Sequence, residues 1–205
     1  MKFYSMINRT QITGIILCGG KSSRMGKNKA LLKLGQLNLL EHSILTLKPF
    51  CEDIIISANF NEFGNIQCQQ IKDVYHGIGP ISGIYSALLQ SKTNHNLIIS
   101  CDMPFISSEV ISYIIENSEN SDIVLPEADG HVQSLSGYFN KSILREIEEE
   151  IKNSHFKPIQ MFKSMNLKVL KIDSSFMFYK DYLFFNINTL DDYNEACRIY
   201  NNISS

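Results

Sequence analysis

Apolar residues recur along this chain in two rhythms. Short, Ile-rich, β-branched runs at Ile12–Cys18, Asp53–Ser57, Asn96–Cys101 and Asp122–Leu125 alternate with longer segments whose apolar positions return every three or four residues. The first rhythm suits strands buried on both faces and the second suits helices with one apolar stripe, so their alternation predicts an α/β chain with a parallel sheet and crossover helices. Asn38 to Leu47 should be the first helix after a strand, with Asn38 as N-cap, Glu41 three residues on, and Leu40, Ile44 and Leu47 on one face before Pro49 stops it. A second helix is expected to open on Pro80 and bury Ile81, Ile84, Leu88 and Leu89; a third begins near Ser107, with Glu109 at the positive end of its dipole. From Asn140 to Asn153 the charged residues crowd a solvated face opposite Ile143, Leu144, Ile147 and Ile151. Gln133–Phe139 and Leu167–Ile172 read as further strands, and Thr189–Asn201 as a last helix with Thr189 and Asp192 as its capping pair.

Composition narrows the class. With 205 residues, 44% hydrophobic and 20% charged, the chain is globular and not disordered, collagen-like or coiled coil. No Pro/Gly/Ser-rich linker divides it, so a single domain over residues 1–205 is expected. Nineteen basic and 21 acidic side chains leave a net charge of −2, which gives no global attraction to nucleic acid or to an anionic membrane. Any phosphate must therefore be held locally. No apolar run approaches the roughly 18 residues that cross a bilayer, and Ile12–Cys18 is too short and too polar for a secretory signal, so a cytoplasmic location is expected. The five cysteines, Cys18, Cys51, Cys68, Cys101 and Cys197, are odd in number and scattered without a C-x-x-C pair, and are expected to be reduced core thiols.

The segment from Leu17 to Lys29 follows the first strand and packs three glycines with four cations. Glycine lets successive N–H groups turn toward an anion, and Arg24 and Lys29 add charge, which together make a phosphate cradle at the carboxyl end of a strand. The spacing matches neither the P-loop nor the dinucleotide-binding G-x-G-x-x-G, and a surface turn with incidental lysines is the bland alternative. Asp102 ends a central strand opposite that loop, where one carboxylate with substrate phosphates suffices for magnesium; a turn-initiating Asp capping the next helix is the alternative. Asp73 lies in a glycine-rich connection entering the second helix, and His76 beside it is expected to be a loop residue.

Taken in order, Leu17-x-Gly19-Gly20 with Arg24-Met25-Gly26 and Lys29, Asp73 with Gly79-Pro80-x-x-Gly83, Cys101-Asp102-x-Pro104, and Phe185-Asn186-Ile187-Asn188-Thr189 resemble the molybdenum cofactor guanylyltransferases, the MobA family, from about residue 12 to 200. The resemblance implies a Rossmann-like nucleotidyltransferase fold, a mostly parallel twisted sheet with helices on both faces. It also implies transfer of GMP from GTP to the terminal phosphate of molybdenum-bound molybdopterin, with release of pyrophosphate and magnesium as cofactor. Carried over by position, Leu17, Cys18, Gly19 and Gly20 would cradle the nucleotide and Lys29 would bind phosphate. Ser57 falls where the family, often with Asn, contacts the guanosine part; Asp73 would bind the nucleotide, and Asp102 would hold both nucleotide and magnesium. Asn186 and Asn188 would line the acceptor side. Proteins that deliver the cofactor or mature molybdoenzymes are implied as partners, and neither nucleic acid nor membrane is. Two departures stand out: Cys18 replaces the commoner Ala, and Gln133–Gly137 lies where some members carry a His-Pro pair.

The chemistry suits these residues apart from any family name. Attack of a phosphate on an α-phosphorus with loss of pyrophosphate needs positioning and charge neutralisation, which magnesium on Asp102, the Gly19-Gly20 amides, Arg24 and Lys29 can supply with no nucleophilic side chain. A nucleotidyltransferase using CTP or a sugar-phosphate acceptor is the nearest rival, since base choice rests on few contacts. A binding module without turnover is the rival from another class, and retention of Lys29, Asp73 and Asp102 together argues against it.

Overall fold

In the computed structural model of the chain, which describes residues 11–19, 28–60, 63 and 66–204, the first apolar run forms β1 (Ile12–Leu17), an inner strand of the main sheet. A small antiparallel ribbon, β2 (Lys33–Leu34) and β3 (Leu37–Asn38), leads into α1 (Leu39–Leu47). There follow β4 (Asp53–Ser57), β5 (Gln69–Ile71), α2 (Pro80–Gln90), β6 (His95–Ser100) and α3 (Ser108–Glu116). The second half comprises β7 (Ile123–Ala128), β8 (His131–Val132), β9 (Gly137–Asn140), α4 (Leu144–Lys152), α5 (Pro158–Phe162), β10 (Leu167–Lys171) and α6 (Leu190–Ser204).

The main sheet runs β10-β7-β9-β6-β1-β4-β5, with β8 paired to β7. β6, β1, β4 and β5 are mutually parallel, as are β7 and β10, whereas β9 runs antiparallel between β6 and β7. The expected mostly parallel sheet is thus present. Its two faces carry separate cores because the strand side chains alternate. Ile12, Ile16, Ile56, Leu97 and Ile99 pack with α1 and α3 through Leu40, Leu47, Val110 and Ile114. Ile15, Leu17, Ile55 and Ile98 pack with α2, α4 and α5 through Ile81, Ile84, Leu88, Ile147 and Phe162. Helices therefore cover both faces, and β1, β4 and β6 carry apolar residues on both faces for that reason.

The end signals act locally as expected. Asn38 Oδ1 accepts from the Glu41 N–H at 2.8 Å while Glu41 Oε2 accepts from the Asn38 N–H at 2.7 Å, closing a capping box on α1. Pro80 is the first residue of α2, and Gly79 before it has φ 78°, a conformation that favours glycine. At α6, Thr189 Oγ1 accepts from the Asp192 N–H at 3.1 Å and Asp192 Oδ2 accepts from the Thr189 N–H at 2.7 Å.

Several expectations need correction. The strand expected over Gln133–Phe139 is confined to Gly137–Asn140; Gln133–Ser136 is a turn, in which the Ser136 N–H donates to the Gln133 carbonyl at 3.1 Å. The first turn of the expected 140–153 helix is 3-10, over Lys141–Ile143. β5 escapes the apolar pattern because it is an edge strand with Gln69 and Gln70 exposed, and α5 because five residues are too few to show a period. Cys18, Cys51 and Cys101 are buried thiols, but Cys68 and Cys197 are only partly buried.

Candidate active site

Parallel register sets the carboxyl ends of four strands side by side. Leu17 is level with Ser57 of β4 and with Ser100 of β6, and Ser57 is level with Ile71 of β5. The ladder continues past the strand ends: the N–H groups of Cys18, Ala58 and Cys101 donate to the carbonyls of Ser57, Ile71 and Leu17 at 2.9, 2.9 and 3.1 Å. The main chain entering the glycine loop is thereby fixed, and Gly19 beyond it is exposed; among the described residues, its chain neighbours aside, no atom lies within 4 Å of where a Cβ would stand. Gly20 and Arg24 lie outside the described residues.

Cys18 and Cys101 sit beneath this edge, both buried. The hydrogen bond that the Cys101 thiol donates to Cys18, together with burial, pushes the Cys101 thiol well above its usual range. Cys101 stays protonated there and is no nucleophile.

Three residues far apart in sequence meet above the end of β6. Lys29 Nζ lies 3.3 Å from Asp102 Oδ2 and 3.2 Å from Asn188 Oδ1, and the side chains of Lys29 and Asp102 are each 20% exposed. Lys29 begins a short 3-10 turn, Lys29–Leu31, capped by Asn28 Oδ1, which accepts from the Ala30 N–H at 3.2 Å. Asp102 occupies the turn after β6, and the other oxygen of its carboxylate accepts from the Ser100 hydroxyl. The 185–189 segment is held across the same turn by the Ile187 N–H, which donates to the Asp102 carbonyl at 2.9 Å. The Phe105 ring meets those of Tyr182 and Phe185 edge-on at 5.4 and 6.4 Å and pins the segment further. Asn186 is exposed on it.

A second group forms at the ends of β4 and β5. Asn59 Nδ2 donates to Asp73 Oδ2 at 2.8 Å and Asn59 Oδ1 accepts from the Asp73 N–H at 3.0 Å. Ser57 is buried at the end of β4. Gly83 permits this closeness, because a Cβ there would stand 2.9 Å from Ser57 Oγ and 3.5 Å from Asp73 Oδ1. The loop after Asp73 is tied to α2, with the Val74 N–H donating to Ser86 Oγ at 2.8 Å and the Tyr75 N–H to Ser82 Oγ at 3.1 Å. His76 is an exposed residue of that loop.

The described residues named from the sequence therefore gather on one edge in two groups: Lys29, Asp102 and Asn188 beside β6, and Ser57 and Asp73 beside β4 and β5, with Leu17, Cys18 and Gly19 between them. Ser100 and Asn59 were not singled out. A hydroxyl two residues before a strand-end carboxylate, and an amide two residues after a strand, are the only signals they carry, and both are common. Among the described residues no group of three His, Cys, Asp or Glu side chains forms a metal cage, and the carboxylates at this edge are the single side chains of Asp102 and Asp73. That donor set fits magnesium, which is usually held through one or two carboxylates plus substrate phosphates, and does not fit a metal that needs an all-protein cage.

A mostly parallel sheet with a lysine and a strand-end aspartate paired at the carboxyl edge of its inner strands is an architecture found in nucleotidyltransferases. The chain belongs to the MobA-like NTP transferase family, whose model matches residues 14–162. It is 37% identical over 190 residues to a probable molybdenum cofactor guanylyltransferase of Clostridium perfringens, covering 89% of this chain and 94% of that one. The structure of molybdopterin-guanine dinucleotide biosynthesis protein A from Archaeoglobus fulgidus superposes with a TM-score of 0.79 at 25% identity, covering 93% of this chain and 99% of that one. A Mycobacterium tuberculosis protein solved as a complex with manganese shares the fold at 15% identity, with a TM-score of 0.65 over 93% of this chain and 100% of its own. The resemblance carried by the ordered motifs is thus borne out, and the chain is an enzyme of the nucleotidyltransferase type. No described helix is long and apolar enough to cross a membrane.

Proposed function

We propose that this protein, acting as one nucleotidyltransferase domain, transfers GMP from GTP to the terminal phosphate of molybdenum-bound molybdopterin. The observation that carries the assignment is the meeting of Lys29, Asp102 and Asn188 above the strand that ends beside the glycine loop. The guanylyltransferase names of its relatives support the choice of nucleotide and acceptor.

An oxygen of the acceptor phosphate, already ionised at neutral pH, forms a bond to the α-phosphorus of GTP as the bond to the bridging oxygen of the β-phosphate breaks and pyrophosphate leaves. The Leu17-Cys18-Gly19-Gly20 main chain holds the nucleotide, with Ser57 and Asp73 on its guanosine side. Lys29 and Arg24 offset the charge that builds on the phosphates. Asp102 would hold magnesium, which would supply further neutralisation of phosphate oxygens. Asn186 and Asn188 present uncharged donors and acceptors to the pterin. No side chain forms a covalent intermediate, in keeping with Cys101 being held protonated. The setting is the cytoplasm, which suits five cysteines that form no disulfide, and the protein partners are those that deliver the molybdenum-loaded acceptor and mature molybdoenzymes.

Pyrophosphate release measured with GTP, CTP or ATP, magnesium and the molybdenum-loaded acceptor tests this. Release with GTP alone is expected. Equal turnover with CTP, or release only with a sugar phosphate as acceptor, would move the protein to the neighbouring nucleotidyltransferase activities.

A further inference from the structure

The geometry points to Ser100 as the residue that positions Asp102 for its cation, an inference that rests on Asp102 being the magnesium carboxylate. Ser100 is the last residue of β6, and its side chain is buried at the sheet edge. Its hydroxyl has one proton, and that proton goes to Asp102 Oδ1. Its own main chain is held from both sides: the Ser100 N–H donates to Ser136 Oγ at 3.4 Å, Ser136 is itself buried, and the Ser100 carbonyl accepts from the Met103 N–H at 3.3 Å.

The consequence is directional. An aspartate on a turn has two equivalent oxygens and a free rotation about its last bond, so either oxygen can face an incoming cation. With Oδ1 tied to a buried serine on a strand, only Oδ2 is presented to the crevice, and that is the oxygen facing the Lys29 ammonium. A neutral donor behind a ligating carboxylate fixes its orientation without cancelling its charge, as partners behind metal ligands generally do. Ser136 extends the support into the Gln133–Ser136 turn, a segment with no charged side chain that could itself reach the cation.

The test is Mn2+ affinity read by electron paramagnetic resonance in the complex with a non-hydrolysable GTP analogue, alongside GTP affinity measured in EDTA. Ser100→Ala is expected to weaken Mn2+ binding about tenfold, with metal-free GTP affinity and the melting temperature little changed. Ser100→Thr, which keeps a hydroxyl on the same carbon, is expected to hold Mn2+ affinity within about threefold. Unchanged Mn2+ affinity in Ser100→Ala, or equal losses in the Ala and Thr variants, overturns the positioning role. Asp102→Asn separates this from the larger assignment: if it abolishes Mn2+ binding while Ser100→Ala does not alter it, only the role of Ser100 falls. If neither variant changes Mn2+ affinity, Asp102 is not the metal carboxylate at all.

Discussion

Lys29 and Asp102 stand 73 positions apart in sequence, yet the ammonium of one lies 3.3 Å from a carboxylate oxygen of the other. Each side chain keeps only 20% of its exposure, so the attraction is less screened than that of a surface pair such as Lys92 and Asp53, at 3.7 Å and mostly exposed. The lysine is therefore an internal counter-ion at the oxygen a metal would use. A triphosphate, with several negative oxygens, can draw it away.

Replacing Lys29 by Met should consequently act in two opposite directions. Without nucleotide, Mn2+ affinity should rise roughly three- to tenfold, because its competitor at Asp102 is gone. Turnover should fall by about 100-fold, near 3 kcal/mol, since a charged donor to the transferring phosphate is lost. Titration of Mn2+ in the absence of GTP checks the first, and a lower affinity there would remove the competition.

For Asp102→Asn, loss of transfer is expected with the fold retained, since side-chain volume barely changes. The Ile187 N–H binds the Asp102 backbone carbonyl and not its side chain, so the 185–189 segment should stay docked. Activity near wild type at saturating magnesium would take Asp102 out of the metal role.

Asn186 and Asn188 should separate. Asn188 Oδ1 accepts from Lys29, whereas Asn186 is exposed on the same segment. We expect Asn186→Ala to raise the KM for the acceptor with GTP affinity nearly unchanged, and Asn188→Ala to disturb both acceptor use and GTP binding through Lys29. Neither should lower the melting temperature much, because Thr189 and Asp192 cap α6 without them. Collapse of GTP binding with normal acceptor dependence in both variants would put both asparagines on the nucleotide side.

His95 gives the stability a pH dependence. Burial holds its pKa below the usual value, and its Nδ1 is 2.7 Å from the Tyr138 hydroxyl. The unfolded chain therefore takes up the proton first, so stability is complete above the ordinary histidine pKa of about 6.5 and falls as pH drops from there through the lower folded pKa. Urea midpoints from about pH 8 down to about pH 5 should decline less in His95→Gln than in the native chain. Parallel declines would assign the effect to other groups.

Much of the fold was legible in order along the chain. β4 and α2 begin at the expected residues, Asp53 and Pro80, because a β-branched run and a proline at the first helical position are local signals. The caps at Asn38 and Thr189 were readable for the same reason: their partners lie three residues away. The loop from Leu17 and the aspartates at strand ends could be named as candidate chemistry because glycines, cations and carboxylates follow apolar strands in the ordered set Leu17–Lys29, Asp73 and Cys101–Pro104, although each alone is also an ordinary turn.

What sequence order could not supply is distance between elements. The antiparallel run of β9 depends on its pairing with both β6 and β7, which no residue of Gly137–Asn140 announces by itself. Nor does composition place Lys29, Asp102 and Asn188 within one hydrogen-bonded group, since each sits on a different connection and only the parallel register of β6 and β1, with the 185–189 segment folded back over Asp102, brings them together. Residue type and local spacing determined which side chains were able to act, because propensity, capping and glycine conformation are decided within a few residues. The tertiary structure decided which of them act on one another, because a hydrogen bond or an ion pair depends on separations of about 3 Å that only strand pairing and loop closure establish.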